Sequence, residues 1–119
     1  MKENILLEKS LDFAVRVLKL RDYLVKKNEN MISKQVACSA TSIGANANEA
    51  IYAVTKADFI NKLHIALKEC AETEYWLRLL VKGEYIDGKL GESLIEGCLE
   101  VKKILVATLK TSKGLNKKE

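Results

Sequence analysis

Proline is absent from this chain, glycine occurs only six times and histidine once. With so few turn-forming residues, a sheet protein of many short strands is excluded, and so are collagen-like and proline-rich repeats. His64, flanked by Leu63 and Ile65, has no second imidazole with which to build a zinc site or a proton relay. No histidine follows a glutamate by three residues, so the Glu-x-x-His signature of di-iron bundles is missing too. The expectation is a chain with no metal and no other cofactor. Because no nucleophile and base stand together, catalytic residues are not expected either.

Long apolar runs are equally lacking. Nothing approaches the roughly 20 apolar residues of a membrane span, and the opening MKENILLEKS has no apolar stretch suited to a signal peptide. A soluble, cytoplasmic protein with no membrane partner is expected. Cys38, Cys70 and Cys98 have no near Cys or His neighbour, which leaves neither a zinc knuckle nor a complete disulfide framework. They read as small core residues.

What is present is amphipathic helix. Apolar residues make up 48% of the 119 and charged residues 30%, a balance suited to one domain with its own core. Leu7, Leu11, Ala14, Leu18, Arg21 and Val25 recur at spacings of three and four, with Phe13, Val17 and Leu24 widening the stripe. This spacing predicts a first helix over about 4–27. After a polar break, Asn30 or Ser33 could cap a second helix over about 31–54. That helix has little bulk at Ala37, Cys38, Ser39, Ala40, Ser42, Gly44, Ala45 and Ala47, so a neighbour can approach closely, with Ile32, Val36, Ile43 and Val54 as larger anchors.

Thr55 with Asp58 resembles a capping box and starts a third helix over 56–82, and Lys82 and Gly83 offer a C-terminal cap. Its stripe is Phe59, Leu63, Ala66, Cys70, Leu77 and Val81. Leu90, Leu94, Cys98, Val101, Leu105 and Leu109 predict a fourth helix over about 89–112, followed by a frayed tail, 113–119. Four long helices with short connections make an all-α fold, an antiparallel up-down-up-down four-helix bundle filling a single domain, 1–119.

Several polar and aromatic residues invite a specific role. Asn46 and Glu49 share one face of the second helix, and with Gln35, Ser42 and, from the third helix, Glu72 they are expected to form a buried polar network. Such a network sets register more readily than it performs catalysis. Glu69, Glu72 and Glu74 read as a solvated or interface face, with Lys68 and Arg78 in reach for salt bridges. Tyr75 and Trp76 are adjacent and must point different ways. One should pack inward while the other is free for a subunit interface or for stacking on bases.

The segment Gln35, Val36 and Ser39 to Ala50 (SATSIGANANEA), followed by Lys56 to Leu80 (KADFINKLHIALKECAETEYWLRLL), resembles the four-helix bundle family of the 23S ribosomal RNA intervening-sequence protein. Its most specific pieces are Ser42-Ile43-Gly44-Ala45-Asn46 with Glu49, and Ala66-Leu67-Lys68-Glu69 with Tyr75-Trp76-Leu77. The resemblance implies a ring-like homo-oligomer, a pentamer. It also implies kinship with the accessory proteins of diversity-generating retroelements, which work with a reverse transcriptase and nucleic acid and are basic barrels rather than enzymes.

Charge adds a surface to that expectation. Lys and Arg number 20 against 16 acids, a net charge of +4. Arg16, Lys19, Lys26 and Lys27 gather in the first helix, and Lys102, Lys103, Lys110 and Lys113 near the end of the fourth. A ring would multiply each patch by its copy number, giving a polyvalent surface that could bind RNA or DNA by counterion release. The plainer reading is a solvated face, since lysines near helix C-termini are favoured by the helix dipole alone. The function expected is a non-enzymatic homo-oligomeric scaffold for RNA, DNA or a nucleic-acid enzyme such as a reverse transcriptase. The alternative is a protein-interaction module that binds no nucleic acid.

Overall fold

The computed structural model describes the backbone of residues 2–114 and side chains from Ile5 onward. The part of the expected frayed tail beyond Gly114 lies outside the described residues. Four helices follow one another: α1 (Lys2–Lys26), α2 (Asn30–Ile51), α3 (Lys56–Lys82) and α4 (Gly88–Ser112). The described residues contain no strand, and the fold is an all-α four-helix bundle. Contacts run from α1 to α2, α2 to α3, α3 to α4 and back from α4 to α1, the last being the least extensive.

The α1 core face is Leu6, Ser10, Phe13, Val17, Leu20 and Leu24, alternating steps of four and three in the manner of a bundle seam. This corrects the expected stripe. Leu11 and Val25 are exposed, and Leu7, Ala14 and Leu18 are half-buried, so the Leu7-Leu11-Ala14-Leu18 row lies beside the core rather than in it. On α2, Ile32, Val36, Ile43, Ala47 and Ala50 face inward. They meet Leu63, Ala66, Cys70, Leu77 and Leu80 of α3 and Leu94, Cys98, Val101 and Leu105 of α4 in one continuous core. Cys38 departs from expectation. It is exposed, because α2 buries the neighbouring Ala37 and Ser39 and turns position 38 outward.

Helix ends explain where the rods stop. Thr55 caps α3 by accepting a hydrogen bond from the Asp58 backbone N–H at 3.0 Å. Asp87 caps α4 by accepting from Lys89 and Leu90 N–H. Neither Asn30 nor Ser33 caps α2: the capping position is Glu29, which makes no side-chain bond, and Ser33 donates to the Asn30 carbonyl instead. Because α2 ends at Ile51, Val54 is not an anchor but 92% exposed.

Two C-termini share one device. Asn28 (φ 64°) and Glu84 (φ 63°) take the left-handed conformation, so that Glu29 N–H reaches back to Leu24 O and Tyr85 N–H to Leu80 O, each at 2.9 Å. Gly83 is right-handed, with φ −81°. It is needed for space instead, since a Cβ there would come within 2.7 Å of the Tyr85 ring.

Candidate functional site

The outer row on α1 and the small residues on α2 together build an open groove. Leu7, Leu11, Ala14, Val15 and Leu18 form one wall, and Thr41, Gly44, Ala45 and Asn48 the other, around a volume of about 440 Å³. Gly44 lies at its base. A Cβ at that position would stand 3.2 Å from Ser10 Oγ, a tight contact that the Ser10 side chain would have to ease by a few tenths of an ångström. Leu11 remains 65% exposed and Val15 45%. Sequence reasoning treated this row as core. The available signal was the width of the α1 apolar arc, which carries two leucine-rich rows where a single face needs one.

A second surface, shallow and confined to the outer face of α4, is formed by Leu99, Lys102, Lys103, Val106, Ala107 and Lys110. Three of the expected basic residues therefore share one surface with an apolar floor. Lys102 lies 3.8 Å from Glu74, which is also paired with Arg78 at 2.8 Å, leaving Lys103 and Lys110 as the more open charges of the group.

The other basic residues sit elsewhere. Arg16 donates to Ser93 Oγ at 2.8 Å and stands with Lys19 at an α1–α4 groove that Tyr23 and Leu90 also line. The Lys27 ammonium lies 5.2 Å from the centre of the Tyr23 ring. Lys26 and Lys113 are exposed near the ends of α1 and α4.

The expected polar network is not what the chain assembles. Gln35, Glu49 and Glu72 are exposed and Ser42 and Asn46 half-buried. The Asn46 amide donates to the Ser42 carbonyl at 2.9 Å within its own helix, Glu49 pairs with Lys62 at 2.8 Å, and Glu72 accepts from the Trp76 indole at 3.1 Å. A local carbonyl four residues back is always in reach of a mid-helix amide, and here that bond replaces the cross-helix one. The buried polar contact is formed by Ser39 and Thr73; Thr73 was expected in a network beside Glu72, whereas Ser39 was read only as one of the small residues of α2.

Trp76 is half-buried against the core, whereas Tyr75 is 60% exposed, and their rings meet edge to face at 5.2 Å. His64 is exposed. Burial first, and then the neighbouring Glu72, push the Glu69 carboxyl above its ordinary value, with Lys68 opposing. Hydrogen bonding to Glu49 raises Lys62. Among the described residues no three His, Cys, Asp or Glu side chains converge in a way that could hold a metal ion, and no helix is long and apolar enough to cross a membrane.

Comparison with known proteins bears on the whole chain. A family model described as 23S rRNA-intervening sequence protein matches residues 2–107. The chain is also similar to a crystal structure from Bacteroides thetaiotaomicron, described as a protein with unknown function from the S23 ribosomal protein family. The two share 50% identity and a TM-score of 0.89 over 92% of this chain and 99% of the other. No curated protein matches.

Proposed function

The chain belongs to the 23S rRNA-intervening sequence protein family, and from that premise we propose that it is a non-enzymatic scaffold of several identical copies. In this reading the copies associate through the α1–α2 groove and present the α4 lysines to RNA or DNA. The observation that carries it is the α1 wall of that groove, where Leu11 and Val15 remain 65% and 45% exposed beside half-buried Leu7 and Leu18. Fully burying an exposed leucine contributes about 1.5–3 kcal/mol, so covering what is left open here, repeated in every copy, supplies a drive to associate.

Pairings across the bundle support an antiparallel, up-down-up-down course. Lys9 meets Glu100 while Arg16 meets Ser93, and Glu49 meets Lys62 while Ser39 meets Thr73, so one partner's number falls as the other's rises. In that course Lys26 and Lys27 lie at the opposite pole from Lys110 and Lys113.

Tyr52 and Val54, 78% and 92% exposed, project beyond the end of α2. A concave groove and a projecting apolar tip are different faces, and contacts between different faces form a ring where the rotation from copy to copy closes. Five copies is the number carried over from the family resemblance. A ring brings Lys102, Lys103 and Lys110 of every copy into one array, where modest charges act together on phosphates.

Light scattering on the purified chain, combined with filter binding to structured RNA and duplex DNA at low salt, tests both halves. A monomer with no affinity for either would overturn the proposal. One observation favours the second reading, a protein-interaction module. The lysines of α4 frame an apolar floor of Leu99, Val106 and Ala107, which phosphates do not need and an acidic amphipathic helix would use. Partners retained after nuclease treatment, a reverse transcriptase among them, would favour that reading.

A further inference from the structure

Across the α3–α4 seam two cysteines face each other in a way the scaffold reading does not use. Cys70 Sγ and Cys98 Sγ are 3.6 Å apart. Each thiol also lies 3.4 Å from the other residue's backbone carbonyl oxygen. Both are free thiols and both are fully buried.

We propose that Cys70 and Cys98 are a latent disulfide, which a peroxide oxidises to an intrachain bond that staples α3 to α4. A disulfide has its sulfurs about 2.05 Å apart, so the sulfurs must approach by only about 1.5 Å from their present separation. The two residues already stand opposite each other across adjacent helices, each thiol against the other's backbone.

The contacts of the two sulfurs are reciprocal, and either thiol can donate to the other. The hydrogen bond between them pulls Cys70 down, with burial opposing and Lys102 assisting, and the same bond together with burial holds Cys98 up. Once its proton has left, Cys70 reacts first. Its thiolate attacks one peroxide oxygen, the O–O bond breaks, and the hydroxide released takes up a proton to leave as water, with Cys70 now a sulfenic acid. The Cys98 sulfur then attacks the Cys70 sulfur. The S–O bond breaks, and hydroxide departs with the Cys98 proton as a second water. Two thiols are oxidised and one peroxide is reduced to two waters. Because both sulfurs are buried, entry of peroxide requires local opening of the seam, and the reaction should be slow beside that of the exposed Cys38.

The experiment uses the full chain carrying Cys38→Ser, so that the exposed thiol takes no part. After treatment with hydrogen peroxide the protein is unfolded, alkylated and weighed intact. The expected result is loss of two hydrogens, no alkylation, a cross-linked peptide joining Cys70 to Cys98, and full reversal by dithiothreitol. The thermal midpoint of the oxidised protein should exceed that of the reduced one. Two thiols still alkylated, or oxygen added to either sulfur without a cross-link, would overturn the proposal. In a second variant, Cys38→Ser with Cys98→Ala, peroxide should add oxygen to Cys70 and remove no hydrogens. If that variant does not fold, the cross-link in the first protein decides the question alone.

Discussion

The Thr73 and Ser39 hydroxyl oxygens lie 2.8 Å apart and join α2 to α3, while Thr73 Oγ1 is also 2.8 Å from the Glu69 carbonyl and Ser39 Oγ 3.3 Å from the Val36 carbonyl. Both side chains are buried from water. Thr73→Val keeps the shape and removes the hydroxyl, and should cost about 1–2 kcal/mol. Ser39→Ala should cost less, because the Thr73 proton can turn to the Glu69 carbonyl. In urea unfolding the double variant should lose less than the sum of the singles by at least about 0.5 kcal/mol, because the second change removes a bond already broken. Strict additivity would show that the two hydroxyls are not coupled.

Glu84 holds a left-handed backbone, with φ 63°, that suits glycine far better than a residue with a Cβ. Glu84→Gly should therefore stabilise the fold by up to about 1 kcal/mol, less what the freer unfolded chain takes back. The neighbouring glycine behaves oppositely. Gly83→Ala would drive a methyl toward the Tyr85 ring, 2.7 Å from the position of its Cβ, and should lower the thermal midpoint. Melting curves of the two single variants moving in opposite directions are the expected outcome; a shift of the same sign in both would contradict this account of the turn.

How much of this was legible in the sequence depends on how much of each feature is local. α3 and α4 each carry one clear apolar row, and Leu63, Ala66, Cys70, Leu77, Leu94, Cys98, Val101 and Leu105 are buried where the period puts them, while at the row ends Phe59 and Val81 are half-buried and Leu90 is exposed. α1 carries two rows of similar apolarity. Which one becomes core is decided by contact with α2 and α4, and the Leu6-Phe13-Val17-Leu20-Leu24 row wins through packing that no window along the chain contains. The cap by Thr55 is a local pattern and was readable; the bond between Ser39 and Thr73 joins two small residues 34 apart and was not. Long polar side chains such as Gln35, Glu49 and Glu72 looked better suited to a network. Their length instead lets them reach solvent from the helix surface.

Glu69 should give the fold a specific pH response. Burial raises its carboxyl above the ordinary 4.5, so the folded state binds its proton more tightly than the unfolded state does. The stabilisation that protonation provides is complete below about pH 4.5 and is lost as pH rises through the folded-state value. Glu69→Gln removes the charge and with it this loss. The variant should thus gain stability relative to the native chain at pH 7 and show little gain at pH 4, measured by denaturant unfolding at each pH. Equal effects at both values would mean that the carboxylate is as well solvated in the folded chain as in the unfolded one.

Leu11→Glu separates assembly from folding. At 65% exposure the side chain contributes little to the core of one chain, so helicity and the thermal midpoint of an isolated chain should hardly move. A carboxylate in the α1–α2 groove would, however, be covered by the next copy without a partner. Light scattering should show the assembly reduced to single chains at concentrations where the native protein is associated. An assembly of unchanged mass would place the contact elsewhere on the surface.

Salt dependence can count how many copies touch one nucleic acid. The α4 face brings Lys102, Lys103 and Lys110 together on each chain. On duplex DNA, three phosphate contacts give a slope of log K against log salt of about −2.7, since each contributes about −0.9. A single chain cannot exceed that with these residues. Binding by an assembled array should be steeper, because lysines of several copies neutralise phosphates at once, and the Leu11→Glu chain should fall back to the shallow slope. Replacing all three lysines with glutamine should flatten the slope in both proteins and weaken binding without regard to sequence. If the native chain binds duplex DNA with a slope that the triple replacement leaves intact, the α4 face is not the contact surface, and the Arg16–Lys19 groove or the Lys26–Lys27 end becomes the surface to test by the same measurement.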